Sequence, residues 1–275
     1  MSIGPKRPIQ KPFSVTLSGT SLAAVAIGLA ILSHQHTIQL ARLAVVLMPL
    51  VLFVYNDYQN FLRLGPGGIP STPRGYLKVS WFKIWANKSP FEPPPAEPHY
   101  TSTIGVLRKV SLPKRQDERP ATAGIAPHRQ ITQHGSTQCF EVLSQTLKKF
   151  AAANPSDFET KTSCLEKYGL ALFSKHTVVK PRAQGEICHV HDSDHSLHLF
   201  LHPDDIKEVL DKGWGERHPM AWEWGLWKPV VGPFFVMIYA PRNENELRVV
   251  AKIIEAAAWN LSGKEIQLDA YISSM

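Results

Sequence analysis

The sequence predicts an α+β domain, a mostly antiparallel sheet packed with helices, preceded by an N-terminal membrane anchor. Three observations carry that reading. Past residue 170 the pattern runs strand, strand, helix, strand, helix, an order that belongs to α+β domains. The run Glu186-Ile-Cys-His-Val-His-Asp-Ser-Asp-His-Ser-Leu-His-Leu-Phe-Leu-His202 reads as two strands around a tight turn. Residues 15–32 are uncharged and mostly apolar, and residues 40–55 are interrupted only by Arg42. Each stretch approaches the roughly 20 residues a helix needs to cross a bilayer core.

Residues 1–14 form a basic tail containing Lys6, Arg7 and Lys11. Residues 15–55 then supply one or two transmembrane helices, with the polar break Ser33-His-Gln-His-Thr-Ile-Gln39 between the apolar stretches. The alternatives are a signal anchor followed by an interfacial helix, or a helical hairpin. Arg63, Arg74, Lys78 and Lys83 follow the second stretch, so the positive-inside rule places both ends in the cytosol and favours the hairpin. A cleaved signal peptide fits poorly, because a second apolar stretch follows at once. The expected location is the endoplasmic reticulum or another endomembrane, with the C-terminal domain cytosolic.

Residues 56–130 read as a membrane-proximal collar and a proline-rich, basic linker. Gly65-Pro-Gly-Gly-Ile-Pro70 and Pro73-Arg-Gly75 are turn-rich. Trp81, Phe82 and Trp85 beside Lys78, Lys83 and Lys88 suit a headgroup interface, or else a small helix packed on the domain. Residues 90–98 are proline-rich, and residues 107–129 read as extended, flexible chain.

The compact domain is expected over residues 131–275. Phe140, Leu143, Leu147 and Phe150 have helical spacing within 139–153, and residues 170–173 and 177–179 read as strand pieces. After the histidine-rich hairpin comes a helix over 204–212 stopped by Gly213, then a buried strand over 234–240 ended by Pro241. Asn243 with Glu246 three residues on resembles a capping box, and the helix behind it buries Leu247, Val250, Ile254, Ala257 and Leu261 until Gly263.

Composition excludes several functions. The 275 residues carry a net charge of +7, but Lys and Arg are scattered and no nucleic-acid motif appears, so a lipid surface is the better use of that charge. Three cysteines, Cys139, Cys164 and Cys188, match no metal-finger spacing and read as reduced side chains. There is no Gly-x-Ser-x-Gly elbow and no glycine-rich nucleotide loop, which argues against a serine hydrolase and against NAD, FAD or ATP.

Three stretches together resemble the fungal luciferases and their non-luminous fungal relatives. They are Asp57-Tyr-Gln-Asn-Phe-Leu-Arg-Leu-Gly-Pro66 with Arg74-Gly-Tyr76; Glu186-Ile-Cys-His-Val-His-Asp192 with Leu197-His-Leu199 and Lys207-Glu-Val-Leu-Asp-Lys-Gly-Trp-Gly-Glu-Arg-His-Pro219; and Tyr239-Ala-Pro-Arg-Asn-Glu244 with Glu246. The order holds from about residue 40 to 262, with 77–130 matching poorly. The resemblance implies a membrane-associated oxygenase that oxidises a styryl pyrone, 3-hydroxyhispidin, with molecular oxygen as co-substrate. It implies a high-energy endoperoxide that loses carbon dioxide, and no flavin or obligatory metal. Membership does not imply light. The sequence departs from the luminous pattern in a shorter turn between His191 and His198, a longer stretch from 220 to 235 with Trp222, Trp224 and Trp227, and His202. Those departures bear on the substrate more than on the chemistry.

Such oxygenation needs a base for an enol proton, donors to hold the resulting anion, and dry walls. His189, His191, His198 and His218 are the candidate bases, His191 first because it heads the turn and matches the motif. Arg217 and Arg242 are candidate anion holders, Arg217 favoured and Arg242 the more structural. Trp214 and Tyr239 are candidates for stacking on a flat ring. Each has a plainer alternative: a strand histidine bonded to a carbonyl, arginines paired with Glu216 or Glu244, a packed Trp214, and a strand-to-helix joint at Tyr239. His195 and His202 read as exposed or structural. A metal reading stands beside this one, because His-x-His on one strand and an imidazole on the next resemble a three-histidine site, with Asp192, Asp194 or Glu186 to complete it. Two functional classes follow. One is a membrane-bound oxygenase taking a small hydrophobic aromatic or polyketide substrate; the other is a catalytically silent scaffold binding a hydrophobic ligand or partner at the membrane.

Overall fold

The computed structural model describes residues 19–33, 39–94, 105–178, 183–222 and 231–272. The chain divides into two compact units, Met1–Arg63 and Leu64–Met275.

In the first unit, α1 (Gly19–Ser33) packs on α2 (Gln39–Arg63). With 15 residues, α1 is about 22 Å long at 1.5 Å per residue, short of the roughly 30 Å hydrocarbon core. The 25-residue α2 contains Pro49 and turns polar from Asn56 onward. Among the described residues no helix is long and apolar enough to cross a membrane. Residues 15–18, where the first apolar stretch begins, lie outside the described residues.

The second unit opens with α3 (Pro73–Trp85), capped by Thr72, whose Oγ1 accepts from Gly75 N at 3.2 Å. Gly75 packs so tightly on the preceding loop that a Cβ would stand 1.9 Å from Pro70 O, so no larger residue fits there. The short α4 (Leu107–Val110) and the hairpin of β1 (Thr122–Gly124) and β2 (His128–Gln130) follow. Then come α5 (Thr137–Ala153), β3 (Phe158–Thr162), β4 (Leu170–Ser174), β5 (Glu186–Val190), β6 (Leu197–Phe200), α6 (Pro203–Asp211), β7 (Gly215–Arg217), β8 (Phe235–Ile238) and α7 (Glu244–Ser262).

The main sheet has the order β3-β4-β5-β6-β8-β7, and every pairing is antiparallel. Strand alternation sorts its two faces. Cys188 and Val190, Leu197 and Leu199, and Val236 and Ile238 enter the core with α7 residues such as Leu247, Val250 and Ile254. Their sequence neighbours His189, His198 and Phe235 take the opposite face, where the site forms. α7 starts as expected, with Asn243 Oδ1 accepting from Glu246 N at 3.0 Å, and ends at Gly263 in the left-handed region at φ 69°.

The structure corrects three sequence expectations. Residues 107–129 are not a flexible linker, and the compact unit does not begin at 131. Leu107 and Leu112 are core residues. The Asp205 carboxylate accepts from Val106 N and Leu107 N at 3.2 and 2.7 Å, and Glu208 accepts from Leu112 N at 2.9 Å. The segment looks polar in sequence because its partners, the acids of α6, lie almost 100 positions away. Thr177 and Val178 are not in a strand, and Val179 lies outside the described residues. The edge strand β3 was not read from the sequence, because Phe158-Glu-Thr-Lys-Thr162 is mostly polar. All three cysteines are free thiols, and Cys139 and Cys188 are buried.

Candidate active site

The β5–β6 hairpin pairs His189 with His198. Its turn closes through His191 N to Ser196 O at 2.9 Å and His195 N to His191 O at 3.1 Å, with His195 in the left-handed region at φ 63°. Asp194 then holds several donors at once: Gln130 N on Oδ2 at 2.5 Å, and Ser196 N and Oγ on Oδ1 at 3.3 and 3.1 Å. The turn therefore orients His191, whose Nδ1 lies 3.2 Å from Asp194 Oδ1 and 2.9 Å from Ser196 Oγ. His189 has its own carboxylate, with Nδ1 at 2.5 Å from Glu186 Oε1. Glu186 is fixed in turn by Ser163 Oγ at 2.9 Å and Cys164 N at 2.7 Å.

Donation from Nδ1 to a carboxylate leaves Nε2 of a neutral imidazole as an acceptor. Nε2 of His189 and Nε2 of His191 both point at Nδ1 of His198, at 3.2 and 2.9 Å. On its other side, His198 Nε2 lies 3.3 Å from Nδ1 of His128 on β2. His128 Nε2 meets Glu216 Oε1 at 3.1 Å, and Glu216 also accepts from Thr122 Oγ1 at 2.7 Å and Tyr239 Oη at 2.9 Å. His218 completes the group: its ring centroid lies 5.0 Å from that of His128 and 4.9 Å from that of His198, and its Nδ1 accepts from Met220 N at 3.0 Å.

Burial drives the electrostatics. It lowers His191 despite the opposing Asp194, and it lowers His198 and His218 well below the ordinary imidazole range, helped by neighbouring rings. These rings are neutral at neutral pH. Burial alone would raise Glu186, Asp194 and Glu216, but hydrogen bonds, from His189, His191 and His128 first, outweigh it and hold all three below the usual carboxylate range.

The rings His128, His189, His191, His198 and His218 line a cavity of about 170 Å³. Its apolar walls include Ile69, Phe82, Leu165, Met220, Val231 and Phe235, with Lys78, Arg129 and Glu166 as charged residues. Arg129 Nη2 donates to Pro66 O at 2.7 Å and to Glu166 Oε1. Glu166 Oε2 and Arg129 Nε are buried without a hydrogen-bond partner. Two inward basic nitrogens beside an arginine–carboxylate pair can accept a proton, hold an anion or bind a cation.

The four histidines expected from sequence, His189, His191, His198 and His218, thus converge. The other four candidates do not line the cavity. Trp214 is a core side chain whose Nε1 donates to Pro113 O at 2.6 Å. Tyr239 positions Glu216 and carries Arg115 over its ring at 5.5 Å. Arg217 donates from Nη2 to Ala221 O at 2.6 Å, because alternation along β7 sends Glu216 and His218 to one face and Arg217 to the other. Arg242 binds Glu246 Oε1 through Nε at 3.0 Å and Asp117 Oδ2 through Nη1 at 2.8 Å, rather than Glu216 or Glu244. His202 caps α6, its Nδ1 accepting from Asp204 N at 3.2 Å. Trp224 and Trp227 lie outside the described residues.

Sequence reasoning missed His128, Arg129, Glu166 and Glu216. Glu216 stands inside the Gly-Trp-Gly-Glu-Arg-His-Pro motif, so a strand alternation there would have found it. His128 and Arg129 fell in the stretch read as linker, and Glu166 carries no local signal.

Comparison with known proteins points the same way. A family profile described as "Luciferase domain" matches residues 184–257, which span the β5–β6 hairpin, the histidine motif of β7 and most of α7. The chain is 32% identical over 235 residues to a luciferase of Neonothopanus nambi, covering 78% of this chain and 84% of that protein. It is 33% identical over 236 residues to a luciferase of Armillaria mellea, with the same coverage of 78% and 84%. A luciferase of Armillaria ostoyae is 33% identical over 225 residues, covering 74% and 80%. No solved structure is significantly similar to the chain.

Proposed function

This chain belongs to the fungal luciferase family, and from that premise we propose that it is an oxygenase using molecular oxygen on a flat, enolic pyrone- or phenol-type polyketide. The observation that carries the reading is the meeting of His189, His191 and His198 on one wall of a cavity otherwise lined by Ile69, Phe82, Leu165 and Phe235. The inward nitrogens of His189 and His191 mark the place where an enol would give up its proton. Anion holding falls to His218 and Arg129 rather than to Arg217. With Nδ1 accepting from Met220 N, the neutral His218 ring carries its proton on Nε2, and Arg129 Nε is an N–H without a partner. Phe235, whose ring centroid is 5.1 Å from those of His198 and His218, offers an apolar face to a conjugated ring. Electrons pass from the substrate anion to oxygen, so no flavin or nicotinamide is required, and the reading covers luminous and dark turnover alike.

The test is incubation of the purified full chain with 3-hydroxyhispidin in air, following light, oxygen uptake and product mass together. Oxygen uptake with an oxygenated or decarboxylated product is expected. A pyrone or phenol that binds without any oxygen uptake would leave a ligand-binding scaffold in place of an enzyme.

Membrane attachment through residues 15–55, with the C-terminal unit on the cytosolic side, is part of the same proposal. Its support is the apolar composition of that segment, its basic flanks, and the half-exposed Trp81 and Trp85 beside Lys78 and Lys83 on α3.

A further inference from the structure

The histidine cluster contains a junction that neutral rings do not satisfy while His189, His191 and His128 donate to their carboxylates. His189 and His191 donate from Nδ1 to Glu186 and Asp194, at 2.5 and 3.2 Å, so each turns an Nε2 lone pair inward. Both lone pairs meet Nδ1 of His198, at 3.2 and 2.9 Å. At the other end of His198, Nε2 lies 3.3 Å from Nδ1 of His128, a third lone pair, because Nε2 of His128 donates to Glu216 at 3.1 Å. A neutral His198 has a single N–H. Placed on Nε2, it leaves three lone pairs facing one another; placed on Nδ1, it leaves two facing each other at His128. Glu166 sharpens the deficit: its Oε2, buried and without a hydrogen-bond partner, lies 3.6 Å from His191 Nε2 and 3.8 Å from His189 Nε2. The cluster lacks positive charge at one point.

We infer that a divalent first-row transition-metal ion binds at that point, held by Nε2 of His189, Nε2 of His191, Nδ1 of His198 and Oε2 of Glu166. Nitrogens that share an ion at about 2.0–2.1 Å stand roughly 2.9–3.4 Å apart between octahedral and tetrahedral angles. The observed 2.9 and 3.2 Å fall in that window. The three histidines bring their nitrogens together, whereas Glu166 Oε2, 3.6 Å from His191 Nε2 and 3.8 Å from His189 Nε2, closes on the ion only by rotating towards it. An ion also places every proton in the network: His198 binds through Nδ1 and donates from Nε2 to His128, which donates to Glu216. Carboxylates behind the rings of His189 and His191 are the outer shell that histidine ligands use to fix their tautomer. Three imidazoles and one carboxylate suit zinc or ferrous iron better than magnesium or calcium.

A second triad, His128, His198 and His218, also brings its ring nitrogens together. It closes less well, because Nδ1 of His218 accepts from Met220 N at 3.0 Å and so leaves a hydrogen on the nitrogen that would have to bind. The inference does not rest on the oxygenase reading, but it takes up the Nε2 lone pairs which that reading assigns to the base, so with the ion bound the enol proton would have to pass to another group of the cavity.

Metal analysis of the full chain, purified without chelator, is the test, and it is made with no substrate present. We expect close to one zinc or iron ion per chain. After chelation, cobalt should restore one equivalent, give visible absorption of a cobalt–imidazole centre and raise the melting temperature. Glu166→Gln, which conserves volume, should weaken cobalt binding at least about tenfold. His198→Ala should bind none while retaining its circular dichroism, and His218→Ala, outside the quartet, should keep the ion. A folded wild-type chain with less than about a tenth of an ion as purified, and no cobalt absorption on titration, would overturn the inference. So would a Glu166→Gln variant with wild-type affinity, as regards the fourth ligand. A chain that binds the metal but never consumes oxygen would instead count against the proposed function alone.

Discussion

His191 Nε2 stands 2.9 Å from His198 Nδ1 across the β5–β6 hairpin, and the turn that makes the approach also supplies Asp194 and Ser196 behind the same ring. Turn formation and ring orientation are therefore one event. The residues that hold the chain reversal, through Ser196 N and Gln130 N on Asp194, are those that set which imidazole nitrogen is free. A site assembled this way resists drift, because Asp194 and Ser196 hold the ring from positions the turn itself fixes.

Replacing His191 or His218 by Ala should each lower oxygen uptake with 3-hydroxyhispidin roughly a hundredfold or more, the usual worth of general acid–base help for His191 and of one anion-holding donor for His218. Circular dichroism and melting curves should show a folded chain in both. Wild-type rates in either variant would remove that ring from the reaction, and loss of helical signal in step with activity would make it structural.

The arginines divide differently from what their sequence context indicated. Arg129→Lys keeps the charge but loses the Nε–H left for the anion while a single ammonium replaces the Nη2 that serves Pro66 O and Glu166, so turnover should fall. Arg217→Lys and Arg242→Lys should instead leave the rate per folded molecule near wild type while lowering the melting temperature. The reason is that Arg217 serves Ala221 O and Arg242 ties Glu246 to Asp117. Losing a well-placed buried hydrogen bond costs about 1–3 kcal/mol, enough to read in a thermal scan. If Arg217→Lys is folded but dead, that guanidinium reaches the reaction by a route the geometry does not show.

The contrast between the arginines and the histidines shows what was legible in the sequence. His189 and His198 could be paired from the alternation of two short strands and a turn of known length. His218 needed the resemblance to a family, because nothing local marks residues 215–217 as a strand. Once β7 is known, the same alternation explains why Glu216, bonded to His128, and His218, which lines the cavity, share a face that Arg217 does not. His128 and Arg129 were hidden because basic, proline-containing chain looks unfolded until its partners are counted. His128 meets His198 from 70 positions away, and Arg129 meets Glu166 from 37. The core helices were legible for the opposite reason, since caps such as Asn243 and Ser136 act within a single turn.

Stability should fall in acid, and Glu246 should account for part of it. Burial alone would raise its carboxyl, but hydrogen bonds from Arg242 outweigh that and hold it below the ordinary range. A folded-state value below the unfolded one gives stabilisation that is complete above about pH 4.5 and lost as pH drops through the lowered folded value. Glu246→Gln should therefore melt lower than wild type at pH 7 and converge on it towards pH 3. Parallel melting curves at both pH values would show that the Arg242–Glu246 pair adds no pH-dependent stability.

The last prediction concerns topology, where the structure changes how a standard test must be read. Two glycan acceptor sequences occur, Asn87-Lys-Ser89 and Asn260-Leu-Ser262. Asn260 is buried within α7, so its lack of a glycan says nothing about which side of the membrane the domain occupies. Asn87 is half-buried, just past the end of α3, with its Oδ1 accepting from Ser89 N at 3.0 Å, and it is the informative site. With basic residues outside both apolar stretches, the C-terminal unit should face the cytosol. In sealed microsomes, protease should digest that unit, Asn87 should stay unmodified, and alkaline carbonate should leave the chain with the membranes. A glycan on Asn87 or a protease-protected domain would reverse the orientation, and release by carbonate would remove the anchor itself.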